Sequence, residues 1–230
     1  MSAKKNSDIS TMTRKERERE RHRIEILTAA EKLFLEQGYD DTTMKEIARK
    51  AEFSKGTLYN YFDSKKDLYL AIGTKAYEGM IALSKEYIQK EEPGIKQLMA
   101  FGYAYYEFTK QSPAYATIFH DISIKYPDLA IKAKKDLTKV EREYIKQGQN
   151  YKTLFVGAIS RAIEEKKIRE DINPFLIGIT LSMVSTGLIK ELMHNNSLFE
   201  QLDFKADDVI DFTFHIIGEG LKPKDTNKEV

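Results

Sequence analysis

Apolar positions recur at helical spacing in one segment after another, which predicts an all-α chain. Ile24, Leu27, Ala30 and Phe34, widened by Leu33, form a stripe over residues 24–37, and Gly38 stands where a helix end favours the left-handed conformation. Thr43 followed by Glu46 is a capping box, so a short helix should open at Met44 and turn Met44, Ile47, Ala48 and Ala51 inward. Glu52-Phe53 leaves room only for a turn. Ser54 then caps a second short helix expected from Lys55 to about Tyr61, with Leu58 and Phe62 facing inward. Ser64 with Asp67 is a further capping box. The helix it opens should reach about Gln89, with Leu68, Ile72, Ala76 and Met80 inside, and stop before Pro93-Gly94.

After that break the apolar faces widen. Residues 94–111 carry Leu98, Phe101, Tyr105 and Phe108 on one stripe and Met99, Tyr103 and Tyr106 on another, as an interior helix does. Ser112-Pro113 opens a helix to about His120. Tyr126-Pro127 breaks again, and a helix is expected from Asp128 to about Lys166, bent near Gly148. Asn173 caps and Pro174 begins a strongly apolar helix to His194, with Gly178, Ser182, Ser185 and Gly187 interspersed. Past Asn195 and Asn196, the last helix spans about 205–220. It has two stripes, Val209-Phe212-Ile216 and Ile210-Phe214-Ile217. Two stripes need two neighbours: the body of the subunit and a second subunit.

Composition changes this picture only locally. The net charge of +1 carries no global polyanion signal, and the absence of cysteine excludes a disulfide framework. Residues 1–23, however, hold eight Lys/Arg (4, 5, 14, 15, 17, 19, 21, 23) against four acids (8, 16, 18, 20). The run from Thr13 to Arg23 is either a solvated helix with neighbouring ion pairs or an arm whose arginines touch phosphates or a minor groove. No apolar run reads as long enough for a membrane span and no signal-peptide core follows the start, so a cytoplasmic location is expected.

The chemistry sits in the two short helices. Joined by a tight turn, they make a helix-turn-helix, whose second helix lies in a DNA major groove. Gly56 and Asn60 fall on its outer face, with Thr57 and Tyr59 at the flanks. A hydroxyl, an amide, a phenol and bare backbone suit phosphates and base edges. Gly56 marks either close approach of backbone to DNA or a flexible helix start. The aromatic set Phe101, Tyr105, Phe108, Tyr115 and Phe119, with Tyr103, Tyr106 and His120 as polar partners, is either the wall of an apolar pocket or an aromatic core. His120-Asp121 has no nucleophile motif beside it, the histidines are scattered, and HExxH is absent. No catalytic residue, metal or cofactor is expected.

Ile26-Leu27, Ala29-Ala30, Leu33-Phe34, Gly38-Tyr39, Thr42-Thr43-Met44, Ile47-Ala48, Ala51, Ser54, Gly56 to Tyr59, Tyr61-Phe62, Ser64-Lys65 and Leu68 keep one unbroken register. Over Arg23 to Leu70 the chain resembles the DNA-binding domain of the TetR family of bacterial and archaeal transcriptional regulators. Elsewhere it is similar only in helix layout. The resemblance implies an N-terminal three-helix helix-turn-helix domain and a C-terminal helical bundle for ligand binding and dimerisation. The expected bounds are 14–63 and 64–221, with a disordered arm at 1–13 and a polar tail at 222–230. It implies that Thr43, Thr57, Tyr59, Tyr61 and Lys65 meet the DNA backbone, and that Lys55, Gly56 and Asn60 lie near bases. It also implies a homodimer on a palindromic operator, acting as a repressor released by a small, mainly apolar effector. The ligand would be held by Phe101, Tyr105, Phe108, Tyr115, Phe119 and His120. The alternative is a dimeric DNA-binding protein without an effector, in an architectural or protein-partner role. The family often carries Gly where Lys166-Lys167 stand here.

Overall fold

A computed structural model describes residues 12–194, 199 and 201–223. Most of the expected arm and tail, and Asn195-Asn196, lie outside them. The described residues form α-helices and no strand: α1 (Arg14–Asp41), α2 (Met44–Lys50), α3 (Lys55–Tyr59), α4 (Lys65–Gln89), α5 (Ile95–Gln111), α6 (Pro113–Lys125), α7 (Lys139–Glu164), α8 (Pro174–His194) and α9 (Ala206–Leu221). The chain divides into two compact units. One joins the described residues up to Glu78 with Ser112–Gly148; the other joins Gly79–Gln111 with those from Gln149 onward. Packing therefore groups α6 and the start of α7 with the helix-turn-helix, whereas the helix layout suggested one cut near residue 64.

In the first unit the caps act as the sequence requires. The Thr13 hydroxyl accepts from Glu16 N–H and the Glu16 carboxylate from Thr13 N–H, so the charged run is the first part of α1. Gly38 turns the chain at a φ of +83°. At α2, Thr43 N–H donates to Glu46 Oε2 at 2.8 Å and Glu46 N–H to Thr43 Oγ1 at 3.2 Å. Ile26, Leu27, Ala30, Ile47, Leu58, Phe62 and Leu68 close the core beneath. A polar seam joins α6 and its exit to α1 and α4. Tyr115 donates to Glu31 at 2.8 Å, Tyr69 to Asp121 at 2.7 Å, Lys125 to Asp40 at 2.7 Å and Tyr126 to Tyr39 at 2.7 Å.

The helix expected from Asp128 is absent. Pro127–Ala130 and Lys134–Asp136 are 3-10 turns, and α7 begins at Lys139. The cause is a capping box: Thr138 N–H donates to Glu141 Oε2 at 2.8 Å and Glu141 N–H to Thr138 Oγ1 at 3.1 Å. Glu141 is 1% exposed, and Lys66 at 2.6 Å and Lys132 at 3.2 Å close on it. Burial pushes its carboxyl pKa up. The hydrogen bonds from Lys66, Thr138 N–H and Lys132 outweigh that and pull it down to about 2. No bend occurs at Gly148, through which α7 is continuous; the glycine admits the Tyr77 ring, whose oxygen would stand 3.0 Å from a Cβ there.

In the second unit α5 packs on α8 and α9. Gly102 permits the closest approach, since a Cβ there would stand 2.2 Å from Phe214 Cζ. Lys166 supplies the turn that a glycine often makes, at a φ of +55°, and Lys167 N–H closes onto Ala162 O at 2.8 Å. One expectation is corrected here: Pro174–Met193, in α8, is by length and composition long and apolar enough to cross a membrane. The interspersed Gly, Ser and Thr break the apolar run in the sequence. The helix buries Ile177, Leu181, Ile189 and Leu192 in its own unit and leaves Phe175, Leu176, Ile179 and Met183 exposed on another side.

Candidate nucleic-acid interface

α3 has five residues, too few to hold a helix by propensity. It is held from outside. Ser54 Oγ accepts from Thr57 N–H at 3.0 Å, and fully buried Leu58 anchors it with Phe62 just beyond its end. With the inner side fixed, Lys55, Gly56, Tyr59 and Asn60 are left exposed together, while Thr57 and Tyr61 are half-buried. The helix stops at Tyr59 and not at Tyr61, and Asn60 is its C-cap with an exposed side chain. A Cβ at Gly56 would meet only Ser54 Oγ, at 3.8 Å, so packing within the protein does not require glycine there.

The remaining candidates are partly engaged. Thr43 Oγ1 donates to Glu46 Oε2 at 2.7 Å, and Thr57 Oγ1 shares a hydrogen bond with Ser54 Oγ at 2.8 Å. The Tyr61 hydroxyl lies 3.1 Å from His22 Nδ1. Lys65 donates to the carbonyls of Tyr39 at 2.7 Å, Asp40 at 3.2 Å and Thr42 at 2.8 Å, over the Tyr39 ring. An ammonium has three N–H groups, and all three are used at the end of α1. The sequence reading missed the α1 side chains beside α3: His22 against the Phe53 ring, Arg19 facing Tyr61 and Arg23 facing Phe62. Their spacing, residues 19, 22 and 23, continues the apolar stripe of α1, and that was the available signal.

The ligand candidates divide between the units. Phe101, Tyr105 and Phe108 are buried in the second, with the Phe101 ring 4.6 Å from the Phe155 ring and tilted 55° to it. Tyr115, Phe119 and His120 belong to the first, where Phe119 meets the Tyr77 ring at 5.0 Å. The tyrosine hydroxyls have protein partners: Tyr103 donates to Asp211 at 2.6 Å, Tyr115 to Glu31, and Tyr105 bonds Thr186. Burial first, then the neighbouring carboxylate, raises the pKa of Tyr103, Tyr106 and Tyr115. A groove of about 430 Å³ in the second unit is lined by Tyr87, Ile95, Met99, Tyr103, Asp211 and Phe214 among others; none of the six candidates lines it.

This helix-turn-helix, buried on one side and polar on the other, defines the class of DNA-binding regulators. Residues 26–72 match the model of the bacterial regulatory proteins, tetR family. The HTH-type transcriptional activator FasR of Mycolicibacterium smegmatis is 30% identical over 117 residues, 50% of this chain and 53% of that protein. The regulator HbdR of Aromatoleum sp. is 51% identical over 49 residues, 21% of each chain. The chain thus spans about half the length of FasR and less of HbdR. Among solved structures, FadR from Bacillus subtilis in complex with stearoyl-CoA aligns with a TM-score of 0.64 at 15% identity, over 86% of this chain and 98% of that one. KstR2 of Mycobacterium tuberculosis aligns at 0.61 and 17% identity, over 88% and 95%. These two likenesses show the fold. Residues 26–72 thus carry a DNA-binding domain of the tetR-family type, and the described fold as a whole is like that of the two solved regulators.

Proposed function

We propose that the chain is a cytoplasmic homodimer that represses by occupying a palindromic operator and is released by a small, mainly apolar effector. The observation that carries DNA binding is the α3 face, where Lys55, Gly56, Tyr59 and Asn60 are exposed together over a buried Leu58. Thr43, Thr57 and Tyr61 flank that face as backbone contacts, and the first-turn amides of α4 beside Lys65 complete the set. FadR, whose structure holds stearoyl-CoA, supports an effector with an acyl chain. The aromatic interior around Phe101 and Phe155 and the groove beside Tyr103 and Phe214 offer apolar walls for one. The satisfied tyrosine hydroxyls favour the second reading, a DNA-binding dimer without an effector.

Protection of DNA upstream of the gene tests the first part; no protected palindrome anywhere in that region sinks it. Calorimetric titration with long-chain acyl-CoA, free and on the operator complex, tests the second. Reciprocity requires operator to weaken effector binding by the factor by which effector weakens operator binding. Equal affinity in both states leaves the non-sensing reading standing. A reporter under the mapped operator separates repression from the activation that the name FasR describes.

A further inference from the structure

We propose that the first part of α1 is a second DNA contact, a cationic ridge of Lys15 and Arg19 that binds backbone phosphates flanking the site read by α3. This rests on the DNA-binding reading above and adds residues that it does not use.

The argument begins with periodicity. The buried stripe of α1 is Ile26, Ala30, Leu33 and Phe34. Carried back toward the N-terminus at helical spacing, the same stripe passes through Arg23, His22, Arg19 and Lys15. A helix seeking a protein partner would continue the stripe with apolar residues. Here it turns cationic at the point where the core ends.

The arm is built, not frayed. The capping box of Thr13 and Glu16 fixes its start. Arg23 and Arg19 lie over the Phe62 and Tyr61 rings at 5.4 and 6.0 Å, and His22 packs on Phe53 at 5.0 Å. These contacts seat the arm beside the end of α3, on an aromatic ledge next to exposed Tyr59 and Asn60. Two of the three described acids are engaged: Glu16 accepts from Thr13 N–H and Glu20 pairs with Arg23 at 3.6 Å, while Glu18 is exposed. Lys15 and Arg19 are exposed. From Ile24 back to Arg14 is ten residues, about 15 Å of helix at about 1.5 Å per residue. That length spans about four base pairs.

The test measures operator affinity against salt for the full chain, on a duplex with long flanks and on one trimmed by about four base pairs per side. Two double variants remove equal charge: Lys15→Ala/Arg19→Ala on the ridge, and Arg14→Ala/Arg21→Ala on the opposite side. Helix content confirms that both fold. On the flanked duplex the ridge variant should lower the slope of log K against log salt by about 3.6, at about 0.9 for each of the four phosphates that the two protomers contact. The opposite variant should leave it unchanged, and trimming should erase the difference. Equal losses for both variants would show diffuse attraction and overturn the proposal. So would weaker binding at unchanged slope, which marks mere support of Tyr61. A wild-type chain that binds no operator would fell the DNA-binding reading itself, an outcome distinct from either.

Discussion

Glu52 sits in the helix-turn-helix turn with a φ of +61°. That region costs a residue with a Cβ about 1 kcal/mol, and glycine removes the cost. Glu52→Gly should therefore raise stability by up to about 0.5 kcal/mol in urea denaturation, after the entropy that glycine adds to the unfolded chain is offset. An unchanged or lower midpoint would show that the turn is not strained. Lys65 poses a different question. Its three bonds to the carbonyls of Tyr39, Asp40 and Thr42 make it a cap on α1. Lys65→Ala should cost about 2 kcal/mol of stability, because charged hydrogen bonds to helix-end carbonyls are lost. If Lys65 instead reaches a phosphate in the complex, the same variant lowers the salt slope by about one unit per protomer. Denaturation and salt titration on one variant separate the roles. Asn60, exposed at the end of α3, is the base-reading candidate. Asn60→Ala should remove about 1–3 kcal/mol of discrimination at one operator position. A uniform loss across operator variants would make it a backbone contact.

At the level of elements, the start of α7 is held by charge. The Glu141 carboxyl is depressed to about 2 in the folded chain, mainly through Lys66 once burial is overcome. A depressed carboxylate stabilises above its unfolded pKa, about 4.3, and that stability is lost as pH falls through the folded value. The first unit should therefore lose on the order of 2–3 kcal/mol between about pH 4.5 and 2. Glu141→Gln should abolish that part of the acid sensitivity while destabilising the protein at pH 7. Asp67 is raised by burial and has the opposite sign, so it cannot produce the same acid loss. This cluster also shows where sequence reading stops. Caps at Thr43 and Ser54 and stripes such as Ile26-Ala30-Phe34 were legible, because each is settled within a few residues. The Thr138–Glu141 box was equally local and went unread, whereas the burial of Glu141 under Lys66 was not legible, because that partner lies 75 residues away. Tyr115 suggested a pocket by type alone; its hydroxyl is taken by Glu31, 84 residues earlier. The polar face of α3 was legible for the same local reason as its cap, and the Arg19 ledge was hidden because Phe53 and Tyr61 come from another helix and its turn.

For the whole molecule, the exposed apolar side chains of α8 and α9 are the surface that the proposed dimer would cover. Met183 is 70% exposed and Phe212 65% exposed in the protomer, beside Ile179 and Ile216. Leaving such a surface in water is costly, since burying one large apolar side chain stabilises by about 1.5–3 kcal/mol. A two-fold pairing uses each residue twice and covers both helices. The proposed pairing would also give a role to both sides of this apolar helix, one packed in its own unit and the other covered by a second copy. Met183→Glu/Phe212→Glu is a sharper test than a charge at Val184, which is half-buried and would disturb the protomer as well. The double variant should keep wild-type helix content and stay monomeric by light scattering at micromolar concentration, where the unaltered chain should be a dimer. Its operator affinity should fall toward that of a single half-site, because two recognition helices about 34–36 Å apart no longer bind as one body. A variant that remains dimeric would place the interface elsewhere. A variant that is monomeric yet binds the full palindrome as tightly as before would show that the dimer is not what reads the operator.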